Sequence, residues 1–429
     1  MATSKSQRTQ EELIKMAHLY MPGGSTGNNT PPDLLINKGS GSKIWDANGN
    51  EYIDYLMGSG PMILGHAHPE VTEVVQEQVA KGTTFFANNE HAILLAEAIV
   101  KSVPCAEHVR FTSSGSEATL YAMRAARSYT RKNKILKFEG GFHGMNDYAL
   151  MSMMPKEPIP FPQALPDSSG IPDSIRNEML IAPFNDIELT SEIIAENATD
   201  IAGVIVEPLQ RLIPPQKGFL QGLRDVTSEY GIPLIFDEIV TGYRLAYGGA
   251  QEYYGVTPDI CTLGKIIAGG YPLAMIAGNK EILDHFDAQN SQGSNYLPQI
   301  GTLNGNPIAS VAGLKTLEIL QRAGSYEHIF KVGISLIDSL NHLFEQSDIP
   351  VQIVGEPPVF DIFFTSTEVK DYRSSQNANK DLLMRFNKLL LQKKIFRGDT
   401  KFYTSLAHTD EDIEKTINAF RFAIENLRE

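Results

Sequence analysis

An α/β fold is what this sequence predicts: a large domain on a mostly parallel central sheet, followed by a smaller α+β domain. Three observations carry it. Between residues 69 and 237, short apolar runs alternate with stretches of helical period, the pattern of parallel strands covered by helices on both faces. The run Ile232-Pro233-Leu234-Ile235-Phe236 is apolar throughout, as a strand buried on both sides must be. At 429 residues the chain also exceeds the size at which one core stops growing. The expected division is an N-terminal segment over 1–60 that joins the small domain, a large domain over 61–310, and a C-terminal α+β domain over 311–429.

The elements follow in order. Residues 8–20 read as a short helix stopped by Pro22-Gly23-Gly24. Lys43-Ile44-Trp45 and Glu51-Tyr52-Ile53 flank Asn48-Gly49, which predicts a type I′ hairpin. Helices are expected near 69–81 and 90–102, then a strand at 109–111, a helix over 115–132 and a strand at 135–138. A strand at 203–206, a helix near 219–229 and a strand at 232–237 come next. Residues 145–180 are rich in Pro, Met and Ser without a clean period, which marks a long functional loop. After Asn306-Pro307 a helix runs to about Arg322, and another from Ile329 to Gln346. The last begins after Thr409, with Ile413, Ile417, Phe420, Ile424 and Leu427 on one face.

Composition narrows the function classes. Hydrophobic residues at 42% and charged residues at 21% exclude a disordered or fibrous chain. A net charge of −14 disfavours nucleic acid, which calls for clustered Lys and Arg. Cys105 and Cys261 are too few for a disulfide framework and read as buried free thiols. The polar first ten residues lack the apolar core of a signal peptide, and no run approaches a membrane span of ~18 residues. A cytoplasmic protein with no membrane partner and no metal is expected.

The chemistry is carried by residues at strand ends. Asp237 closes the apolar run 232–236, where open α/β sheets hold ligands, and Lys265 stands between the strand-like Cys261-Thr262-Leu263 and Gly269-Gly270. Pyridoxal phosphate requires such a pair: an amine to hold its aldehyde as a Schiff base, and a carboxylate to keep its pyridine nitrogen protonated. Ser113-Ser114-Gly115-Ser116-Glu117 opens a helix after a strand, which suits a phosphate seat but equally a capping box of Ser114 with Glu117. Glu139-Gly140-Gly141-Phe142-His143-Gly144 ends another strand; Phe142 reads either as a platform for a planar ring or as a core aromatic. A dinucleotide-binding oxidoreductase is disfavoured, because no Gly-x-Gly-x-x-Gly opens a helix after the first strand.

The order of these segments is more specific than any one of them. Ser-Gly-Ser-Glu-Ala (114–118), Glu-Gly-Gly-Phe-His-Gly (139–144), Val-Glu-Pro (206–208), Phe-Asp-Glu-Ile-Val-Thr-Gly (236–242), Leu-Gly-Lys (263–265) and Gly-Thr-Leu-Asn-Gly-Asn-Pro (301–307) resemble the class III, fold-type I pyridoxal-phosphate aminotransferases. Gly-His-Ala-His-Pro (65–69), Tyr-Gly-Gly-Ala-Gln-Glu (247–252) and Thr-Ser-Leu-Ala-His-Thr (404–409) point to the glutamate-1-semialdehyde aminomutase branch. The resemblance covers about residue 20 to the C-terminus. It implies that Lys265 carries the cofactor and Asp237 pairs with its ring nitrogen. Ile239 would pack opposite Phe142, while Ser114, Gly115 and Ser116 hold the phosphate and His143 and Glu207 complete the pocket. Thr302 would reach the phosphate of a neighbouring subunit, making a homodimer with shared active sites.

The chain departs from that branch in three places. The run 25–30, Ser-Thr-Gly-Asn-Asn-Thr, has no basic residue where the aminomutases carry an arginine for the substrate carboxylate, leaving only amides such as Asn28. Ser59 precedes Gly60-Pro61 in place of a tryptophan. Leu212 stands near the expected position of the cofactor's phenolic oxygen in place of a polar residue. Arg211 and Arg397 then remain as candidates for a carboxylate, each also readable as a solvated surface arginine. These departures favour an aminotransferase moving an amino group between an amine or amino acid and a keto or aldehyde acceptor. The alternative is glutamate-1-semialdehyde 2,1-aminomutase or a related racemase on the same machinery.

Overall fold

The computed structural model describes residues 8–27, 34–289, 291 and 293–427. Fourteen strands form three sheets among the described residues. In chain order they are β1 (Ile36–Ser40), β2 (Lys43–Asp46), β3 (Glu51–Asp54), β4 (His108–Thr112), β5 (Lys134–Phe138), β6 (Met179–Ala182), β7 (Ile201–Val206), β8 (Leu234–Asp237), β9 (Ile260–Leu263), β10 (Ala274–Gly278), β11 (Gln352–Glu356), β12 (Val359–Phe363), β13 (Ile395–Phe396) and β14 (Phe402–Tyr403). The central sheet runs β4-β10-β9-β8-β7-β5-β6. β10 alone is antiparallel to its neighbours, so the other six strands point the same way.

Side-chain alternation explains why both faces of this sheet are buried. Ile205 of β7, Ile235 of β8 and Ile260 of β9 pack with Ala118, Ala122, Ala125 and Ala126 of the helix Gly115–Thr130 on one face. Val204, Val206, Leu234, Phe236 and Cys261 join the core on the other face. Small alanines let that helix lie close to the sheet. Burying Phe236 fully contributes about 1.5–3 kcal/mol.

Because six strands run in parallel, their carboxyl ends share one rim. Thr112, Phe138, Val206, Asp237 and Leu263 are the last residues of β4, β5, β7, β8 and β9, and the segments that carry the sequence motifs start there. The loop after β5 is held by Lys137. Its fully buried ammonium donates to the carbonyls of Gly141 (3.0 Å), Ala149 (2.7 Å) and Met151 (2.7 Å). Burial pulls this amine down to about 7, yet three acceptors call for the three protons that only the ammonium has.

The other two sheets interleave the ends of the chain. β1-β2-β3-β13 joins residues 36–54 to 395–396, with Ile395 opposite Ile53 in a parallel pair. β11-β12-β14 packs beside a separate apolar cluster that includes Tyr55, Leu336, Phe386, Phe402 and Phe420. The last helix, Asp410–Glu425, opens with a capping box between Thr409 and Asp412 and buries Ile413, Phe420 and Ile424. The β2–β3 connection is not the expected type I′ turn. Asp46 binds the N–H groups of Asn48 and Asn50, and only Gly49 is left-handed, so a longer Asx-type loop replaces the two-residue turn.

Candidate active site

Asp237 stands at the end of β8 and is 4% exposed. Its Oδ2 meets His143 Nδ1 at 2.8 Å, while Oδ1 accepts from Thr262 Oγ1 (3.0 Å) and the Ile239 N–H (3.2 Å). With an ionised carboxylate, Nδ1 is the donating nitrogen of His143. Three donors fix the charge, and no Lys or Arg neutralises it among the described residues. His143 is 1% exposed, and its Nε2 has no hydrogen-bond partner among the described residues.

Lys265 follows β9 by two residues, at φ +51° in a short 3₁₀ turn, a left-handed conformation that costs a side-chain-bearing residue about 1–3 kcal/mol. Burial pulls its amine below the ordinary lysine range, opposed first by the nearby Tyr403 hydroxyl and then by Asp237 and Glu207. Ile239 ties the parts together. A Cβ on Gly264 would meet its Cδ1 at 3.0 Å, and one on Gly115 would meet the same atom at 3.1 Å, so both glycines are shaped to this side chain.

At the start of helix Gly115–Thr130, Ser114 Oγ accepts the Glu117 N–H at 3.3 Å, so it does cap the helix. Glu117 turns instead to the Ser113 N–H (2.9 Å), so the reciprocal box is not formed. Gly115 and Ser116 sit in the first turn, where N–H groups have no intrahelical acceptor. Ser116 Oγ accepts from the Met145 N–H (3.1 Å), and Thr119 Oγ1 donates to the His143 carbonyl (2.6 Å), which binds the loop after β5 to this helix.

Phe142 is 36% exposed, which rules out the core-aromatic reading. Its N–H donates to Glu207 Oε2 at 2.8 Å, and the Arg211 guanidinium lies 5.4 Å from its ring centre. Thr302 is exposed on the turn at 301–305, whose Asn304 Oδ1 accepts from Ser113 Oγ (3.4 Å). Ser59 is exposed at φ +66°, one residue before Gly60, whose carbonyl accepts from Arg244. Asn28 lies outside the described residues.

One expectation is corrected. Arg397 is no surface arginine: it is 2% exposed and ion-paired with Asp361, because β13 carries it into the interior. Leu212 is 1% exposed within an apolar cluster with Met57, Leu245 and Tyr403, and it is Arg211 that faces outward. Sequence reasoning also missed three neighbours. Tyr403 has a buried hydroxyl without a partner. Arg244 is fully buried without a carboxylate and donates to the carbonyls of Gly60, Pro358 and Thr404. Lys401 is half-buried and joins Tyr403 in a segment with no motif of its own.

A buried carboxylate without a cationic side chain, an amine at the same rim and a glycine-lined helix start fit pyridoxal phosphate. This combination defines a fold-type I enzyme that uses that cofactor. The family model for class III aminotransferases matches residues 25–424, and the chain belongs to that family. It is 41% identical over 428 residues to a glutamate-1-semialdehyde 2,1-aminomutase of Methanothermobacter thermautotrophicus, covering 97% of this chain and 99% of the relative. Among solved structures it is similar to an omega-transaminase from Sphaerobacter thermophilus, with a TM-score of 0.93, 34% identity and 99% of each chain covered. A transaminase with PLP bound superposes with a TM-score of 0.89 at 29% identity over 98% of each chain. Pyridoxal phosphate is the cofactor.

Proposed function

We propose that this chain catalyses an amine shift within one amino aldehyde, as a glutamate-1-semialdehyde 2,1-aminomutase does, with the cofactor carried on Lys265. The observation that carries this reading is the 41% identity, end to end, to a relative of that name; it outweighs the departures that favoured transfer between separate molecules. Pyridoxal phosphate supplies an electron sink for the carbon bearing the amine. The Lys265 amine, whose basicity burial has lowered, would move the proton on that carbon. Asp237, oriented by His143, would hold the proton on the ring nitrogen. Ile239 and Phe142 would hold the ring between them, Ser114, Gly115 and Ser116 would hold the phosphate, and Glu207 fixes the Phe142 backbone. Holoenzyme given glutamate-1-semialdehyde and no keto acid should form 5-aminolevulinate; turnover only when a keto acceptor is added would overturn the aminomutase.

Transamination between separate molecules is the second reading. It is supported by the likeness to the omega-transaminase, by the absence of a basic residue over 25–30, and by a cavity of 1090 Å³ beside the site, larger than a five-carbon substrate requires. On either reading we place the protein in the cytoplasm, in keeping with its two free buried thiols. No helix of the described residues is long and apolar enough to cross a membrane. We also assign the division at 1–60, 61–310 and 311–429, and a homodimer in which exposed Thr302 completes the neighbour's phosphate seat. Sedimentation velocity with parallel assays checks this: dilution to monomer should release cofactor, whereas a fully active monomer contradicts it.

A further inference from the structure

The cavity beside the site carries a charge opposite to that of the molecule. Its walls hold six lysine and arginine residues against two aspartates, in a chain of net charge −14. Three of those cations, Arg211, Lys401 and Arg397, have features that suit an anionic ligand.

Arg211 and Lys401 are both presented on left-handed backbone, at φ +49° and +76°. Neither is glycine, so each conformation is strained and is imposed by its surroundings. At 211–212 the consequence is visible: Leu212, at φ +75°, is driven into the interior while Arg211 is turned out against the Phe142 ring. Neither Arg211 nor Lys401 forms an ion pair among the described residues. Arg397 spends one amino group on Asp361, but its Nε and Nη1 are buried and have no hydrogen-bond partner among the described residues. Buried guanidinium N–H groups left without acceptors are costly and mark a place for one.

The local field agrees with the geometry. Burial, and then repulsion from Arg211, pulls the Lys401 ammonium down to about 8, against the opposing pull of Glu207 and Asp361. Both acids are already engaged, Glu207 by the Phe142 N–H and Asp361 by Arg397. An anion seated between Arg211 and Lys401 would remove their repulsion and gain charge-assisted hydrogen bonds.

We propose that Arg211 and Lys401, backed by the idle N–H groups of Arg397, form the subsite that receives the substrate's carboxylate. The acidic end of the substrate is then held from the C-terminal side of the fold, and the run 25–30 can do without a basic residue. Planar N–H donors beside a point charge suit a carboxylate, and the contact of Arg211 with Phe142 sets it within a small molecule's length of the ring platform. The inference rests on the cofactor standing at Lys265, and on neither choice of reaction.

Binding without turnover tests it. Calorimetry on pyridoxal-form holoenzyme would compare 4-oxopentanoate, which carries a carboxylate and no amine, with its uncharged counterpart pentan-2-one. The wild type should bind the acid more tightly than the ketone. Lys401→Gln and Arg211→Gln should each weaken the acid at least tenfold and leave the ketone unchanged, with the cofactor absorbance and melting temperature of wild type; Lys401→Arg should restore the acid. Undiminished binding of 4-oxopentanoate by both folded variants overturns the subsite, as does equal loss of both ligands. Because no reaction is read, failure of the proposed activity leaves this result standing.

Discussion

At the scale of single residues, the site turns on how Asp237 is held. Its two oxygens accept hydrogen bonds from His143, Thr262 and the Ile239 N–H, which fix the carboxylate at the end of β8. Asp237→Asn keeps the shape and removes the charge, so the variant should retain cofactor and lose about 3–5 kcal/mol of catalysis, the cost of taking one partner from a buried charge pair. Single-turnover kinetics on cofactor-saturated variant checks this, and near-wild-type rates would mean that another group holds the ring proton. Asp237 and Lys265 were legible in the sequence because strand ends and glycine turns leave a pattern. Tyr403, Lys401 and the burial of Arg397 were not, since they depend on β13 and β14, two-residue strands too short to show a period, whose partners β3 and β12 lie far back in the chain.

Among the elements, the turn at 404–409 shows how a motif can serve the fold as much as the chemistry. His408 is fully buried and stacked on Tyr55, with ring centres 4.3 Å apart. Its Nδ1 accepts the Ser405 N–H at 3.1 Å, so Nε2 carries the proton and donates to the Asp54 carbonyl at 3.0 Å. This joins the C-terminal segment to the end of β3. Burial holds the folded-state value down at about 4, below the 6.5 of a free histidine. The penalty is absent above pH 6.5, grows as pH falls because the unfolded chain takes up a proton that the folded one refuses, and is complete near pH 4. Linkage sets it at about 3 kcal/mol. Urea unfolding at pH 7 and pH 5 should therefore show a loss of stability that His408→Gln reduces; an equal loss in the variant would place the acid sensitivity elsewhere. The same scale explains which strands leave no signal in the sequence. β6 and β10 are short apolar runs without alternation, indistinguishable by period from loop or helix, and β10 runs against the direction that the βαβ pattern implies. The Asn48-Gly49 signal gave a hairpin but not its turn, because Asp46 captured the loop N–H groups.

For the whole molecule, parallel topology does the assembling. Strand ends separated by as much as 150 residues in sequence reach one rim because β4, β5, β7, β8 and β9 point the same way, and the alternation that predicts this was readable from Pro69 to Asp237. The arrangement makes one lysine special. Lys137 is buried with its protons committed to three carbonyls, and Lys401 belongs to the cavity wall, whereas Lys265 shares the rim with Asp237 and abuts the glycine fitted to Ile239. Borohydride reduction of the holoenzyme followed by peptide mapping tests this claim most directly. The pyridoxyl label should be found on Lys265 alone and be absent from Lys265→Ala, whereas a label on Lys137, Lys401 or any other lysine would contradict the site described here.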